Sequence, residues 1–193
     1  MRTVVADLCG TLIRENTTRG FLNYIPLNGV RSQIRHLGLS KLAQKSSVLL
    51  RRDLARQLMV RSLAGASRDL LYRVAREYVR EKLLNNTRAD VLSSVMRAKA
   101  EGATVYLATA SLDPIASGVI DELSLDGGIS SRLQYDDGGH CTGALESDVT
   151  GNKWAALCKR FPGIEHSEVC VYTDNEEDVD LKVHASTFHF IDD

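Results

Sequence analysis

Near its start, the chain runs Thr3-Val4-Val5-Ala6-Asp7-Leu8-Cys9-Gly10-Thr11-Leu12. Its first four residues predict a short buried strand, and Asp7 stands where that strand ends. Ligands bind outside the carboxyl ends of the strands in an open parallel sheet. Gly10 allows the chain to turn sharply around a ligand, because glycine tolerates backbone angles that other residues avoid. Asp7 is therefore the first candidate for chemistry.

The second half of the chain alternates between helical and strand-like patterns. Pro114 suits the first turn of a helix, Lys153 stands at another helix start, and an Asp136-Asp137-Gly138-Gly139 turn separates two hairpin strands. Helices that alternate with strands indicate a parallel sheet, so the sequence predicts an α/β fold. The strands are expected at 103–108, 130–135, 141–145, 168–172 and 187–191. The helices are expected from 87–90 to just before Gly102, at 114–123 and from near 153 onward.

A strongly basic segment separates the first strand from this alternating region. The chain of 193 residues has a net charge of −1, but residues 14–88 hold sixteen Lys and Arg against five Asp and Glu, a net charge of +11. Apolar residues recur there at spacings of three and four, at 48–60 and 68–84, which predicts two amphipathic helices. The second helix has an inward face with Leu70, Leu71, Val74 and Tyr78, and an outward face with Arg73, Arg76 and Arg80. We therefore expect a helical insertion with boundaries near residues 14 and 88.

The composition, with 44% hydrophobic residues, is that of an ordinary globular protein. No apolar run approaches the roughly 20 residues that a membrane helix needs, and the start does not read as a signal peptide. We therefore expect no membrane span and a cytoplasmic location. The cysteines form no CxxC pair, which favours free thiols over disulfides or a zinc site; they are Cys9, Cys141, Cys158 and Cys170.

Further polar residues stand at the predicted strand ends. Thr109 follows one strand, and Asp174 and Asp178 lie in an acidic turn after another. A carboxylate nucleophile cannot approach a phosphate dianion unless the negative charge is offset. Lys153 and a divalent cation held by Asp7 and Asp174 would offset it, and oxygen ligands of this kind suit Mg²⁺.

The order and spacing of these residues resemble the haloacid dehalogenase (HAD) superfamily, within the branch similar to phosphoserine phosphatase. Four family motifs occur in register as Asp7-Leu8-Cys9-Gly10-Thr11, Thr109, Lys153, and Asp174 with Asp178. The resemblance implies a Rossmann-like parallel sheet with helices on both faces at 1–14 and 88–193, and an all-helical cap domain at 15–87. The cap matches the family only in position, length and helical character.

The resemblance also implies a role for each motif residue. Asp7 would attack phosphorus and carry an aspartyl-phosphate, and Thr109 and Lys153 would hold phosphate oxygens. The expected site residues are, for catalysis, Asp7, Cys9, Thr109 and Lys153; for substrate phosphate, Leu8, Gly10, Thr109, Ala110 and Lys153; and for Mg²⁺, Asp7, the backbone carbonyl of Cys9, Asp174 and the neighbouring Asp178.

Cys9 departs from the family pattern, because phosphatases of this superfamily usually carry a second aspartate there, which protonates the leaving group and then activates water. Metal binding through the backbone carbonyl of residue 9 does not depend on its side chain. Four outcomes stay open: a substrate whose leaving group needs no proton, an acid borrowed from Glu15 of the cap, transfer of the phosphoryl group to another acceptor, or loss of hydrolysis. The thiol itself is either a redox-sensitive group or a small buried side chain.

The basic cap leads to two compatible expectations: it would attract an anionic substrate, or it would dock on the acidic core. No nucleic-acid-binding motif accompanies the arginines, so we expect no nucleic acid partner. The sequence thus predicts an Mg²⁺-dependent phosphohydrolase or phosphotransferase that acts on a small anionic phosphoester. The alternative is a catalytically impaired member that binds a phosphorylated metabolite or a protein partner.

Overall fold

A computed structural model describes residues 2–26 and 50–192, with the backbone alone for residues 50–54. Six strands form one sheet in the order β4-β3-β2-β1-β5-β6. Their bounds are β1 Arg2–Ala6, β2 Thr104–Leu112, β3 Gly127–Tyr135, β4 Cys141–Ser147, β5 Glu168–Thr173 and β6 Thr187–Phe190. The strand that leads to Asp7 therefore lies inside the sheet, between β2 and β5.

Neighbouring strands run parallel except β3 and β4, which form an antiparallel hairpin. Val4 of β1 lies opposite Val105 on one side and Cys170 on the other. Parallel strands need long crossover connections, and helices supply them. The α/β architecture expected from the sequence, including its hairpin, is confirmed.

The described part of the chain holds seven α-helices and two short 3₁₀ helices. The α-helices are α1 Thr17–Tyr24, α2 Leu50–Arg61, α3 Arg68–Glu81, α4 Ala89–Ala100, α5 Asp113–Glu122, α6 Lys153–Arg160 and α7 Val179–His184; the 3₁₀ helices are Leu83–Asn86 and Ile164–His166. None of these helices is long and apolar enough to cross a membrane. The first two positions of the helix predicted at 48–60 lie outside the described residues.

The amphipathic sequence of α3 explains its position. Ser67 caps the helix, because its side chain accepts a hydrogen bond from the Leu70 N–H at 3.3 Å. The two faces are as predicted, with Leu71, Val74 and Tyr78 buried, Leu70 partly buried, and Arg73, Arg76 and Arg80 exposed. The helix ends at Glu81, ahead of the predicted residue 84, because a 3₁₀ turn takes over at Leu83–Asn86.

Hydrophobic clusters lie on both faces of the sheet, and alternate residues of the central strands face them. Val4 belongs to one cluster and Val5 to the other. The first cluster takes residues from α4 and α5 and also from the inserted helices α1 and α3, among them Phe21 and Val79. The second takes residues from α6 and α7, among them Leu157. Helices therefore cover both faces, and the described inserted helices share a core with the sheet; the domain boundaries at 14 and 88 stay a prediction.

The strand that carries Thr109 is longer than expected. The sequence predicts its end at residue 108, but β2 continues because Leu112 still pairs with Ser131 of β3 after a register shift that follows Ala108. A bulge of this kind bends a strand and redirects a side chain, and bulges are common beside functional sites. Thr109 therefore lies within an irregular strand and not in a loop.

Candidate active site

Three buried charged side chains meet at the carboxyl edge of the sheet. Asp7 follows β1, Lys153 is the first residue of α6, and Asp178 directly precedes α7. The Lys153 Nζ lies 3.1 Å from Asp7 Oδ2 and 2.7 Å from Asp178 Oδ2. None of the three side chains is more than 8% exposed, so water screens their charges little. One ammonium group thus bridges two buried carboxylates.

This arrangement shifts the pKa values of two of the groups, Asp7 and Lys153. Burial raises the pKa of Asp7 to about 6 against the opposing charge of Lys153, and the charge of Asp178 adds to the rise. Burial disfavours the charged form of Lys153, but the charges of Asp7 and Asp178 outweigh burial and raise the lysine pKa. Lys153 is therefore protonated at neutral pH and supplies a fixed positive charge beside Asp7.

Asp174 approaches the turn after β1 so closely that residue 10 has to be glycine. A Cβ on Gly10 would lie 1.9 Å from Asp174 Oδ2, and the φ of Gly10 is +76°. Thr11 holds the same aspartate twice: its hydroxyl donates to Asp174 Oδ1 at 2.8 Å and accepts the Asp174 N–H at 2.9 Å. Arg88 Nε donates to the Gly10 carbonyl at 2.7 Å. The turn after β1 and the turn after β5 are therefore locked together.

The oxygen donors that Mg²⁺ prefers are present at this edge. Asp7 and Asp174 offer carboxylates, and the turn after β1 carries the backbone carbonyl of Cys9. Asp178 Oδ2 is already engaged, because it accepts a hydrogen bond from Lys153 at 2.7 Å. Within residues 2–26 and 50–192, no three His, Cys, Asp or Glu side chains gather as a metal cluster. The residues present fit Mg²⁺, which commonly takes one or two carboxylates and keeps several waters.

Cys9 belongs to a neighbouring cluster of neutral groups. Its Sγ lies 3.0 Å from Thr17 Oγ1 and 3.1 Å from Ser111 Oγ, and these two hydroxyl oxygens are 2.6 Å apart. The Thr109 hydroxyl donates to Ser111 Oγ at 3.1 Å. Burial raises the pKa of the Cys9 thiol, and the charge of Asp7 adds to the rise. Because a raised pKa disfavours the thiolate, which is the reactive form, this environment favours an unreactive side chain over a redox-sensitive group.

The remaining residues of the expected phosphate site have other partners in the structure. The Leu8 N–H donates to Asp7 Oδ1 at 2.7 Å and so orients that carboxylate. The Ala110 carbonyl accepts a hydrogen bond from Arg56 Nη2 of α2 at 2.7 Å. Within the described parts of the chain, no hydrogen bond joins Thr109 or Ala110 to Asp7. Their phosphate-binding role stays a prediction.

Over residues 4–181, the chain matches the family described as haloacid dehalogenase-like hydrolase. It belongs to this family. Its fold is that of the phosphoserine phosphatase-like branch, as several solved structures demonstrate.

A protein of unknown function from Bordetella pertussis Tohama I is 16% identical, with a TM-score of 0.72 over 88% of this chain and 80% of its own. A phospho-aspartyl intermediate analogue of phosphoserine phosphatase is 15% identical, with a TM-score of 0.64 over 99% and 94% of the two chains. Cytosolic 5'-nucleotidase IIIB bound to cytidine is 13% identical, with a TM-score of 0.64 over 97% and 72%. At such identities the likeness concerns the fold. No curated protein matches the chain at a significant level.

Sequence reasoning missed several residues of this haloacid dehalogenase-like protein. Thr11 and Ser111 stand beside predicted site residues, so their proximity was a usable signal. Thr17 and Arg56 lie in the helical insertion, and no spacing pattern connects them with the motifs. Only the tertiary fold brings Thr17 to Cys9 and Arg56 to Ala110.

Glu15, which one of the four open outcomes would use as the acid, forms a hydrogen bond with a residue of α3. The Tyr78 hydroxyl donates to Glu15 Oε1 at 2.9 Å. Burial raises the pKa of Tyr78, and the hydrogen bond to Glu15 adds to the rise. The Tyr78 hydroxyl therefore stays protonated and donates its hydrogen bond to Glu15.

Proposed function

We propose that this protein is an Mg²⁺-dependent phosphohydrolase or phosphotransferase that acts on a small anionic phosphoester through an aspartyl-phosphate on Asp7. The observation that carries the proposal is the buried Lys153 ammonium, 3.1 Å from Asp7 Oδ2, at the strand edge where Asp174 also lies. A purely structural role would not need a carboxylate with a pKa raised to about 6 at this place. Perturbed buried groups of this kind are typical of functional sites.

The residues would act as follows. A carboxylate oxygen of Asp7 attacks phosphorus, and the bond between phosphorus and the leaving oxygen breaks. Lys153 compensates the charge that gathers on the phosphoryl oxygens, which is worth more in a buried site than in water. The Leu8 N–H on Oδ1, at 2.7 Å, fixes the orientation of the nucleophile. Orientation of this kind lowers the entropic part of the barrier.

Asp7, Asp174 and the Cys9 carbonyl would hold the Mg²⁺. The ion would neutralise phosphate charge and orient the substrate, as divalent cations do in phosphoryl transfer. The fit rests on the tight approach of Asp174 to Gly10, which leaves no room for a Cβ, and on the hard oxygen donors at this edge. Asp178 would serve the site through Lys153, which it contacts at 2.7 Å.

The Cys9 side chain favours substrates of one kind, namely phosphates whose leaving group departs without a proton. A thiol is a weak hydrogen-bond donor, and this one already has Thr17 and Ser111 as neighbours. The first step would be easiest with a leaving group that departs without a proton, such as the carboxylate of an acyl phosphate or the phenolate of an aryl phosphate. Water attack on the aspartyl-phosphate would lack a base, so the phosphoryl group would persist or pass to another acceptor.

A second candidate function is binding without turnover. The neutral Cys9–Thr17–Ser111 cluster favours it, because it occupies the place of the usual acid and base with groups that transfer protons poorly at neutral pH. In that case the protein would bind a phosphorylated metabolite or a protein partner. Retention of Asp7 beside Lys153 favours the enzyme.

A substrate screen with Mg²⁺ tests the proposal. Acetyl phosphate, an aryl phosphate, sugar phosphates and nucleotides are offered to the wild type and to Asp7→Asn, which keeps the size of the side chain. We expect the wild type to release the acyl or aryl leaving group as Asp7 takes up the phosphoryl group, and Asp7→Asn to do so at least about 10³-fold more slowly. Equal activity in the two proteins would contradict a nucleophilic Asp7, and silence on all substrates would favour binding.

A further inference from the structure

A cavity of about 410 Å³ lies between α2 and strand β4. Its size falls in the range of small-molecule sites, about 300 to 1,000 Å³. Gln57, Val60 and Arg61 line it from α2, Leu145 lines it from β4, and Arg56 and Asp148 stand at its border. None of these residues takes part in the Asp7–Lys153 site.

Two sets of contacts hold α2 in place, one on each side of this cavity. Arg56 Nη2 donates to Ala110 O at 2.7 Å and to Ser131 Oγ at 2.8 Å, and Arg56 Nε lies 3.2 Å from Asp148 Oδ2. Beyond the end of the helix, the Gly65 N–H donates to the Cys141 carbonyl. Because contacts from the middle of the helix and from the residues after its end both hold α2 in place, the space between them is preformed.

Further backbone hydrogen bonds connect the residues after α2 with the β3–β4 hairpin. The Cys141 N–H donates to the Ala66 carbonyl at 2.8 Å, and the Arg68 N–H donates to the Gly139 carbonyl at 2.9 Å. Gly143 allows β4 to come this near, since a Cβ there would lie 3.0 Å from Ala64 Cβ. The wall that β4 provides is therefore held in place by the main chain.

The charges at the cavity are not balanced. Arg56 is paired with Asp148, whereas the Arg61 side chain makes no ion pair or hydrogen bond within the described residues. The lining therefore carries an excess of one positive charge. A guanidinium presents a fork of donors that matches a carboxylate.

The rest of the lining suits an aliphatic chain with a polar end. Val60 and Leu145 face the space from its two walls, and the Gln57 amide stands on the same face of α2 as Arg61, since residues four apart are neighbours on a helix. An excess charge of +1 matches a monoanion better than a phosphate dianion.

We propose that this cavity is a second binding site, separate from the Asp7 site, for a small aliphatic carboxylate whose anionic end contacts Arg61 and whose chain lies over Val60 and Leu145. The proposal does not rest on the activity at Asp7. Binding should also change the environment of the candidate active site. Arg56, which lines the cavity, donates a hydrogen bond to the carbonyl of Ala110, the neighbour of Thr109.

Backbone amide NMR spectra of the full chain, titrated with hexanoate and separately with neutral hexanol, test the proposal. We expect saturable hexanoate shifts centred on Gly143, Ala144 and Leu145, with a smaller shift at Ala110, and no matching response to hexanol. In Arg61→Gln the dissociation constant should rise by about tenfold or more, the loss expected for one charge-assisted contact. Arg73→Gln, which removes an exposed arginine from α3, is the matched control and should bind as the wild type does.

Three results would overturn the proposal. They are the absence of saturable shifts in the wild type, equal affinity in Arg61→Gln and wild type, and shifts centred on Asp7 or Asp174. Asp7→Asn should keep its affinity for hexanoate, which separates this site from the catalytic one. Arg61→Glu, which reverses an exposed charge, should abolish binding while its spectrum stays that of a folded protein.

Discussion

In the proposed mechanism, residue 9 is the position at which substrate binding and catalytic turnover make different demands. The Cys9 carbonyl is available to a cation whatever the side chain, but the thiol does not replace a carboxylate in proton transfer. Thr17 Oγ1 at 3.0 Å and Ser111 Oγ at 3.1 Å surround the thiol with hydroxyl groups. One of these hydroxyls donates to the other at 2.6 Å, which leaves the second hydroxyl to donate to an acceptor at this position. The pocket therefore already offers a hydrogen-bond donor to an aspartate.

Cys9→Asp should therefore raise the rate of phosphoester hydrolysis. General acid and base catalysis is typically worth a factor of about 10² to 10⁴, and we expect a gain in that range for an alkyl phosphate, whose leaving group needs a proton. The measurement is kcat with an alkyl phosphate in the presence of Mg²⁺. For an acyl phosphate the formation of the aspartyl-phosphate should change little.

Cys9→Ser is the matched control, because it keeps the size of the side chain and supplies a hydroxyl without a carboxylate. It should not raise kcat for the alkyl phosphate. If Cys9→Asp folds and hydrolyses no faster than Cys9→Ser, then a missing acid and base does not limit this enzyme.

At the scale of elements, the ion pair between Arg56 and Asp148 helps to hold helix α2 against the β3–β4 hairpin. Arg56 contacts Asp148 at 3.2 Å and also reaches Ser131 and Ala110. Burial opposes the ionisation of Asp148, but hydrogen bonds from Thr150, the Arg56 charge and the Ser131 hydroxyl together lower its pKa. A carboxylate with a lowered pKa stabilises the fold above its unfolded pKa, about 3.9, and loses that effect as the pH falls.

Asp148→Asn should thus lower the unfolding free energy at neutral pH, and the difference from the wild type should shrink as the pH falls below about 4. Urea unfolding at a series of pH values measures it, and hydrogen exchange should report faster opening of α2 in the variant. Asp137→Asn, an exposed change at the tip of the same hairpin, is the control. A deficit in Asp148→Asn that is as large at pH 3 as at pH 7 would contradict this account.

The spacing of apolar residues was enough to predict those helices and strands whose buried face follows from their own sequence. The apolar spacing of α3 predicted its buried face, and Lys153 begins α6 as expected. The end of β2 was not predictable in this way, because the strand continues past Thr109 only through pairing of Leu112 with Ser131, a contact between distant segments.

The candidate site was likewise predictable only in part. Asp7, Lys153 and Asp178 were predicted together from motifs, and they form one network. The surroundings of Cys9 were not, since Thr17 and Ser111 are 94 positions apart in sequence and meet at 2.6 Å only in the fold. Motif spacing locates groups that act on a substrate, whereas the contacts that tune them arise from tertiary packing.

In the whole molecule, the inserted segment and the rest of the chain carry opposite net charges. Residues 14–88 carry a net charge of +11 and the remainder carries −12. Two ion pairs join them in the described residues, Arg56 with Asp148 and Arg80 with Glu122. These two ion pairs neutralise part of the basic charge within the protein. Attraction of an anionic substrate by the basic segment stays a prediction.

The shared core predicts a single unfolding transition. Phe21 of α1 and Val79 of α3 lie in the same hydrophobic cluster as Val95 of α4 and Val105 of β2, so the inserted helices cannot leave without exposing the core of the sheet. Differential scanning calorimetry should give equal calorimetric and van't Hoff enthalpies. Two resolved transitions would contradict this view and favour a cap that folds independently.

The central claim is that Asp7 accepts a phosphoryl group and, with Cys9 beside it, releases that group slowly. The direct measurement is the intact mass of the protein after incubation with acetyl phosphate and Mg²⁺ and quenching in acid. We predict that the wild type gains one phosphoryl group on Asp7, that Asp7→Asn gains none, and that Cys9→Asp loses the group faster than the wild type. A wild type that never gains the group, or an Asp7→Asn protein that gains it equally, would contradict the account.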